Sequence, residues 1–447
     1  MKNVQPNISV GIMTRETIEF SLKGKFSCSE SLQTVQGSFS TKYVNGKIIV
    51  SGEGVTVAVT EIIFEPLDIK SCEFELKNVT IGVNFHWEQN EDQKFQGALK
   101  LIIEDEKITV VNVLPVENYL VSVISSEMSA KSSIDLLKAH AIISRSWLIA
   151  QIEKQESLTV NSSNYISISE TDDEYIRWYD REDHENFHVC ADDHCQRYQG
   201  TTRSHNLNVV KAVDETAGVI LSYEGRVCDA RFSKSCGGIA ELFENCWEPV
   251  NHPYLTNLID NPVVPSGYNT DLRIDDNAER WIHGNPDAFC NTDDKEVLTQ
   301  VLNEYDWTAK DFYRWKVEYS QEQIADLLLR RSGRDFGQII DLIPVERGTS
   351  GRLIRLKIVG TKKTLIVGKE LEIRRWLSES HLYSSAFTVE KSDMKEGIPQ
   401  KFILRGAGWG HGVGLCQIGA AVMGHKGYKY DEILLHYFKN VELEKRY

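Results

Sequence analysis

Between residues 8 and 112 apolar and polar positions alternate in short runs, among them ISVGIM, KIIVSGEGVTVAV, VTIGVNF, ALKLIIED and KITVVNVL, separated by glycine, asparagine and charged clusters. A period of two over four to eight residues predicts half-buried strands, because successive side chains of an extended chain point to opposite faces. Residues 1–112 are therefore expected to form a strand-rich N-terminal region. The period changes in PVENYLVSVISSEMSAKSSIDLLKAHAIISRSW. Pro115 suits the first turn of a short helix, and Ser132-x-x-Asp135 is a capping signal for a longer one reaching about residue 153. Ile134, Leu137, Ala141, Ser144, Leu148 and Ile152 of that helix fall on one stripe, which marks its core side.

Further along, residues 171–195 are polar and acidic, and an irregular loop held by something other than a core is expected there. FSKSCGGIAELFENCW reads as a strand running into a glycine turn. Residues 266–400 hold helical patterns (DKEVLTQVLNEY, SQEQIADLLLRR) and strands (IIDLIPVER, LIRLKIVG). The predicted class is α+β: a strand-rich region 1–112, the first part of a mixed α/β core in 113–250, an intervening α/β segment 251–399, and a glycine-rich C-terminal part, 400–447, that closes the core.

With 447 residues, 41% of them apolar, the chain can bury a large core and is long enough for two or three domains. A net charge of -15 leaves no surplus of Lys and Arg to neutralise phosphates, which argues against a nucleic-acid partner. No apolar run approaches a membrane span, and the opening MKNVQPNISVGIM lacks the long apolar stretch of a secretory signal, so a soluble chain, either mature or cytoplasmic, is expected. The nine cysteines are an odd number, so at least one stands outside any intrachain disulfide.

The densest motif is GWGHGVGLCQIGA at 408–420. Glycines at every second position, Gly408 to Gly414, do not satisfy G-x-G-x-x-G, and no G-K-[ST] follows, so neither a dinucleotide loop nor a P-loop is present. Alternate glycines instead imply positive-φ or tightly packed backbone that presents Trp409, His411, Val413 and Leu415 in fixed order, a loop built for close approach.

GAGWGHGVGLCQIGA, followed by GYKYDEILLHYF, and the central PVENYLVSVISSEMSAKSSIDLLKAHAIISRSW resemble the two signatures of the sporulation stage II protein D and amidase-enhancer family of cell-wall proteins. ISVGIM, CGGIAE, HPYL, TSGRLIRLKI and YSSAF are weaker echoes. Cys416 stands where the family commonly has Ser, His140 where Gln is common, and Ala240 where Thr often follows the glycine pair. The resemblance implies a lytic transglycosylase, a lyase that cuts peptidoglycan glycan strands between N-acetylmuramic acid and N-acetylglucosamine without water and leaves a 1,6-anhydro end. It makes 113–250 and 400–447 the catalytic core and Glu127 the single acid/base. A hydrolase would need a second, opposed carboxylate. A half-buried Glu127 is expected to have the raised pKa of a general acid; the competing reading is a solvated residue between two helices.

Arg145 is a substrate-binding candidate, or one half of a structural ion pair. His411 and Trp409 of the glycine loop, with Ser235 and its neighbour Lys234 beside the Cys236 turn, are further substrate-binding candidates, His411 being equally readable as a packing residue. His184-x5-Cys190-x4-Cys195 offers an imidazole and two thiols, a donor set suited to tetrahedral zinc. It resembles the zinc site of some family members, with His188, His194, water or a remote residue as fourth ligand; a Cys190–Cys195 disulfide, or two inert thiols, is the alternative. Two other functions stay open: a non-catalytic cell-wall binding activator of an amidase, and a zinc-dependent hydrolase. The family implies the cell envelope, although no export signal is visible.

Overall fold

The computed structural model describes residues 4–82, 88–129, 131–160, 167–179, 184–192, 195–202, 206–302 and 312–447. The fold is α+β, with the strand-rich N-terminus expected from the alternating runs. The strands from Asn7–Arg15 to Lys107–Pro115 form one largely antiparallel sheet, in which the first and last of them pair with each other. Alternation turns into burial: in Thr17–Cys28, Ile18, Phe20, Leu22 and Phe26 point inward, and Phe20 stacks on Phe39 at 5.2 Å. A two-residue strand from much later in the chain, Val189–Cys190, adds in parallel to the free side of Asn7–Arg15.

The last strand of this sheet runs straight into the helix Val116–Glu127, with Pro115 at its N-cap. The second helix, Ile134–Val160, is longer than the sequence pattern predicts. Its cap is Ser133, whose hydroxyl accepts the Leu136 N–H, and not Ser132. Ser132 instead donates its hydroxyl to the Gln300 carbonyl at 2.8 Å. The single apolar stripe also gives way, because residues 139–149 are buried on every side. The helix is wedged between the helices Leu207–Glu215, Gln417–His425 and Tyr430–Tyr437 and the strand Val219–Tyr223, so residues 139–149 keep no face for solvent.

The chain returns to this core at its end. Phe232–Ser233 pairs in parallel with Leu415–Cys416, and Val219–Tyr223 pairs with Glu442–Lys445. Between these returns lies a second apolar core of Trp315, Ile324, Leu342, Leu356, Trp376, Phe402 and their neighbours, built on a five-stranded and a three-stranded sheet. The predicted strands appear there as Ile339–Arg347 and Leu353–Gly360, and SQEQIADLLLRR as the helix Gln321–Ser332, closed by a Ser320/Gln323 capping box and by Gly333 in the left-handed region. DKEVLTQVLNEY gives the helix Lys295–Val301, and residues 303–305 of that run lie outside the described residues. The acidic stretch 171–195 is not core-free as expected: its strand Glu174–Arg177 joins the five-stranded sheet, and Tyr175 stacks on Trp376 at 5.6 Å. Among the described residues no helix is long and apolar enough to cross a membrane.

Arg145 is fully buried and ties these layers together. Its Nε and Nη2 donate to the two Glu117 oxygens at 2.9 and 2.6 Å, and its Nη1 to the Val219 carbonyl at 3.0 Å. Glu117 also accepts the Gly218 N–H and the Tyr447 hydroxyl. Removing one partner strands the other charge away from water, so Arg145→Met is expected to cost about 3–5 kcal/mol. A drop in melting temperature that Glu117→Leu partly restores in the double variant checks this.

Candidate functional site

Glu127 is the last residue of its helix and is partly exposed. The turn that follows is clamped by the helix Lys295–Val301: the Gln300 carbonyl accepts from Ser129 N–H at 2.9 Å and from Ser132 Oγ, while Gln300 Oε1 accepts from Ser133 N–H. The Gln417 side-chain amide bonds the Glu127 carboxylate and also meets His140 Nε2 at 3.0 Å. An amide nitrogen facing an imidazole nitrogen must donate, so His140 carries its proton on Nδ1, 3.3 Å from Ser144 Oγ. Burial pushes His140 down to about 4, and it is neutral at pH 7.

The expected rise of the Glu127 pKa is not what this environment produces. Burial does push it up, but the charges of Arg197 and Lys234, with smaller contributions from His140 and the Gln417 amide, outweigh burial and hold the carboxyl below its usual range. Since His140 is charged only in acid, Arg197, Lys234 and the amide dominate near neutrality.

Each of these groups is delivered by a defined piece of fold. Arg197 lies on a segment docked against the Glu127 helix: Gln199 N–H donates to Ser122 Oγ at 3.1 Å, and Tyr198 stacks on Tyr119 at 5.1 Å while donating its hydroxyl to Asn112 Oδ1. Lys234 follows the strand Phe232–Ser233 and donates to the Val301 carbonyl at 2.7 Å. Gln417 follows the partner strand Leu415–Cys416. Among the described residues, then, the parallel pairing of 232–233 with 415–416 places Lys234 and Gln417 beside a glutamate from a different part of the chain.

The glycine loop runs along the same pairing, and what approaches it closely is the protein itself. Arg352, fully buried, donates to the Gly410 carbonyl through Nε and Nη2 and to the Cys236 carbonyl through Nη1. A Cβ on Gly412 would stand 2.5 Å from that guanidinium, and φ there is +77°. His411 is consumed by the loop: Nε2 donates to the Phe232 carbonyl at 2.9 Å and Nδ1 accepts the Val413 N–H at 3.0 Å. Burial, then Arg231, Arg374 and Arg352, keep its pKa well below normal. Ser235 is buried and exchanges backbone hydrogen bonds with Trp409. Ser235 and Arg145 therefore hold the fold, and neither reaches solvent as a substrate contact would require. Trp409, partly exposed, packs between Phe312 and Tyr383.

The donor atoms of His184, Cys190 and Cys195 lie within 4.8 Å of one another, and Cys195 Sγ stands 3.5 Å from His184 Nε2. None of the nine cysteines is in a disulfide. Ligands on a tetrahedral zinc with bonds of 2.0–2.3 Å are about 3.6 Å apart, so the residues fit such an ion. His188 Nδ1 is engaged by Ser9, and His194 lies outside the described residues. A second group able to hold a metal ion, Cys236, Asp260, Cys290 and Cys416, is buried at the base of the glycine loop. Sequence reasoning missed it, together with Arg197 and Gln300. Its ligands come from remote segments, and the only trace is the cysteine at 416.

Parts of the chain are similar to known proteins. Residues 104–223 match the family model described as stage II sporulation protein, and residues 241–414 match a domain of unknown function. An uncharacterized protein of Brachyspira hyodysenteriae is 26% identical over 350 residues, 78% of this chain and 72% of that one. Stage II sporulation protein D of Bacillus amyloliquefaciens is 22% identical over 337 residues, 75% of this chain and 76% of its own length. The amidase enhancer of Bacillus subtilis is 25% identical over 246 residues, 54% of this chain but 33% of that protein. The chain is thus similar to stage II sporulation proteins, with the family model falling on residues 104–223.

Because Gly412 combines a left-handed backbone with contact to Arg352, Gly412→Ala is expected to lose ~1–2 kcal/mol from the backbone and ~1–3 from overpacking. Gly427→Ala, whose Cβ would meet nothing at φ +89°, isolates the backbone part. Comparing the two melting temperatures checks the difference.

Proposed function

We propose that the protein is a peptidoglycan lytic transglycosylase with Glu127 as its one acid/base. The observation that carries this reading is the carboxylate itself, partly exposed and acted on by Arg197, Lys234 and the Gln417 amide. In the first half of the reaction protonated Glu127 gives its proton to the glycosidic oxygen, which leaves as the N-acetylglucosamine hydroxyl. In the second, the carboxylate takes the proton of the muramyl 6-hydroxyl while that oxygen bonds to the anomeric carbon. The carboxyl ends protonated and no water is consumed. Arg197 and Lys234 stabilise the ionised form between the halves, and Gln417 fixes one carboxylate oxygen. Trp409 is the face of the glycine loop we assign to the sugar, and His411 and Ser235 act behind it by fixing the backbone that carries Trp409.

Zinc fits His184, Cys190 and Cys195, where it would supply a structural cross-link. Cys190 lies on the strand added to Asn7–Arg15, and Cys195 precedes Arg197 by two residues, so that cross-link would fix the approach of Arg197 to Glu127. The work of the protein is assigned to the cell envelope, where glycan strands lie. The amidase-enhancer relative favours a second reading, a non-catalytic partner of a cell-wall amidase.

Glu127→Gln keeps the shape but cannot deliver a proton, and it is expected to abolish anhydro-muramyl products from peptide-stripped glycan with fold and metal content unchanged. Mass spectrometry of the digest decides: anhydro ends from the variant would refute the mechanism, no cleavage by the wild type would favour the amidase partner, and hydrolytic, chelator-sensitive products would favour a zinc hydrolase.

Only the protonated carboxyl starts the reaction, so kcat/KM is expected to rise as pH falls, levelling off only below the usual carboxylate range. Lys234→Met removes a positive charge, raises the Glu127 pKa, and should move the whole profile to higher pH. An unmoved profile would separate Lys234 from the titrating group.

A further inference from the structure

Four side chains from remote parts of the chain meet beneath the glycine loop. Cys236 follows the strand Phe232–Ser233, and Cys416 ends the strand paired with it. Asp260 and Cys290 come from the segment that matches a domain of unknown function. All four are buried, and one donor atom from each lies within 4.8 Å of the others.

The spacing separates the possible chemistries. Cys236 Sγ and Cys290 Sγ are 3.7 Å apart. A disulfide needs about 2.05 Å. Two thiolates on a tetrahedral zinc with bonds of about 2.3 Å are ~3.8 Å apart. The carboxylate points the same way. Asp260 accepts the Cys290 N–H at 2.9 Å and the Tyr437 hydroxyl at 2.6 Å, and His436 Nε2 stands 3.8 Å away. A carboxylate buried among thiols without a cation is costly, and a divalent ion removes that cost. Cys416 occupies the N-cap of the helix Gln417–His425, where the helix dipole favours a thiolate, and its sulfur accepts the Cys236 N–H at 3.3 Å. Asp260 is also packed against that helix so closely that a Cβ on Gly419 would meet its carboxylate at 2.6 Å.

We propose that Cys236, Asp260, Cys290 and Cys416 form a second, closed zinc site of three thiolates and one carboxylate, separate from His184, Cys190 and Cys195. Four protein ligands leave no position for water, so the site is structural. It staples the intervening segment, through Asp260 and Cys290, to the paired strands that carry Lys234 and Gln417. The ion thereby fixes the groups that set the charge of Glu127 without touching the substrate, and the assignment stands whether or not Glu127 is catalytic.

The test is native mass spectrometry of the full chain, loaded with Zn2+ under reducing conditions. The Cys190→Ser/Cys195→Ser chain, whose other cluster is dismantled, is expected to keep one zinc per chain, and adding Asp260→Asn or Cys290→Ser should remove it. Replacing that zinc by Co2+ should give thiolate-to-cobalt charge-transfer absorption, which reads the ligand type without any assay of activity. A zinc-free Cys190→Ser/Cys195→Ser chain that remains folded would overturn the proposal. So would a Cys290→Ser chain with the wild-type zinc count, or peptide mapping that finds a disulfide among Cys236, Cys290 and Cys416. If the cysteine variants fail to fold, the wild-type count decides: two zinc ions per chain support the second site, and one or none overturns it.

Discussion

A carboxylate partly withdrawn from water needs positive charge close by, and in this protein neither cation that serves Glu127 is its neighbour in sequence. Arg197 arrives on a segment docked against the Glu127 helix, and Lys234 on a strand held by residues 415–416. Without both, burial would drive the carboxyl towards its neutral form. With both it stays ionised at rest, able to take a proton and to give one only after acquiring it. Much of the architecture around the long central helix serves to bring these two cations and the Gln417 amide to one point.

The two groups of metal-type ligands stand on the two lines of supply. His184, Cys190 and Cys195 lie just ahead of Arg197, and Cys236 and Cys416 flank Lys234 and Gln417. Short polar segments have little apolar surface with which to fix their own course, so a cross-link to a sheet edge or to a neighbouring segment sets their geometry more sharply than packing can. The intervening segment shares in this. It supplies Gln300, which clamps the turn after Glu127, Val301, which accepts from Lys234, and Arg352, which gathers the carbonyls of the glycine loop.

The sequence by itself determined the local elements. Alternation named the N-terminal strands, Ile339–Arg347 and Leu353–Gly360, and the run SQEQIADLLLRR named a helix, because these patterns depend on neighbours within a few residues. It also singled out the glycine loop and the His184, Cys190 and Cys195 spacing, since each is compact along the chain, while Glu127 was marked only by the resemblance of its surrounding motif to a known family. Where burial came from several sides at once, local pattern misled: the middle of the long helix, 139–149, has no solvent face, and the acidic stretch 171–195 places Tyr175 in a core.

Only the tertiary structure decided what surrounds those residues. Arg145 was equally ready to hold a substrate or an ion pair until Glu117 met it across two helices. The alternate glycines announced a close approach, but the approaching group, Arg352, comes from another sheet. The pKa of Glu127 turned on Arg197 and Lys234, and the Cys236, Asp260, Cys290 and Cys416 group on four distant segments. Charge compensation and metal-type geometry are set by distances in space, and a chain records such distances only where the partners are also close in sequence.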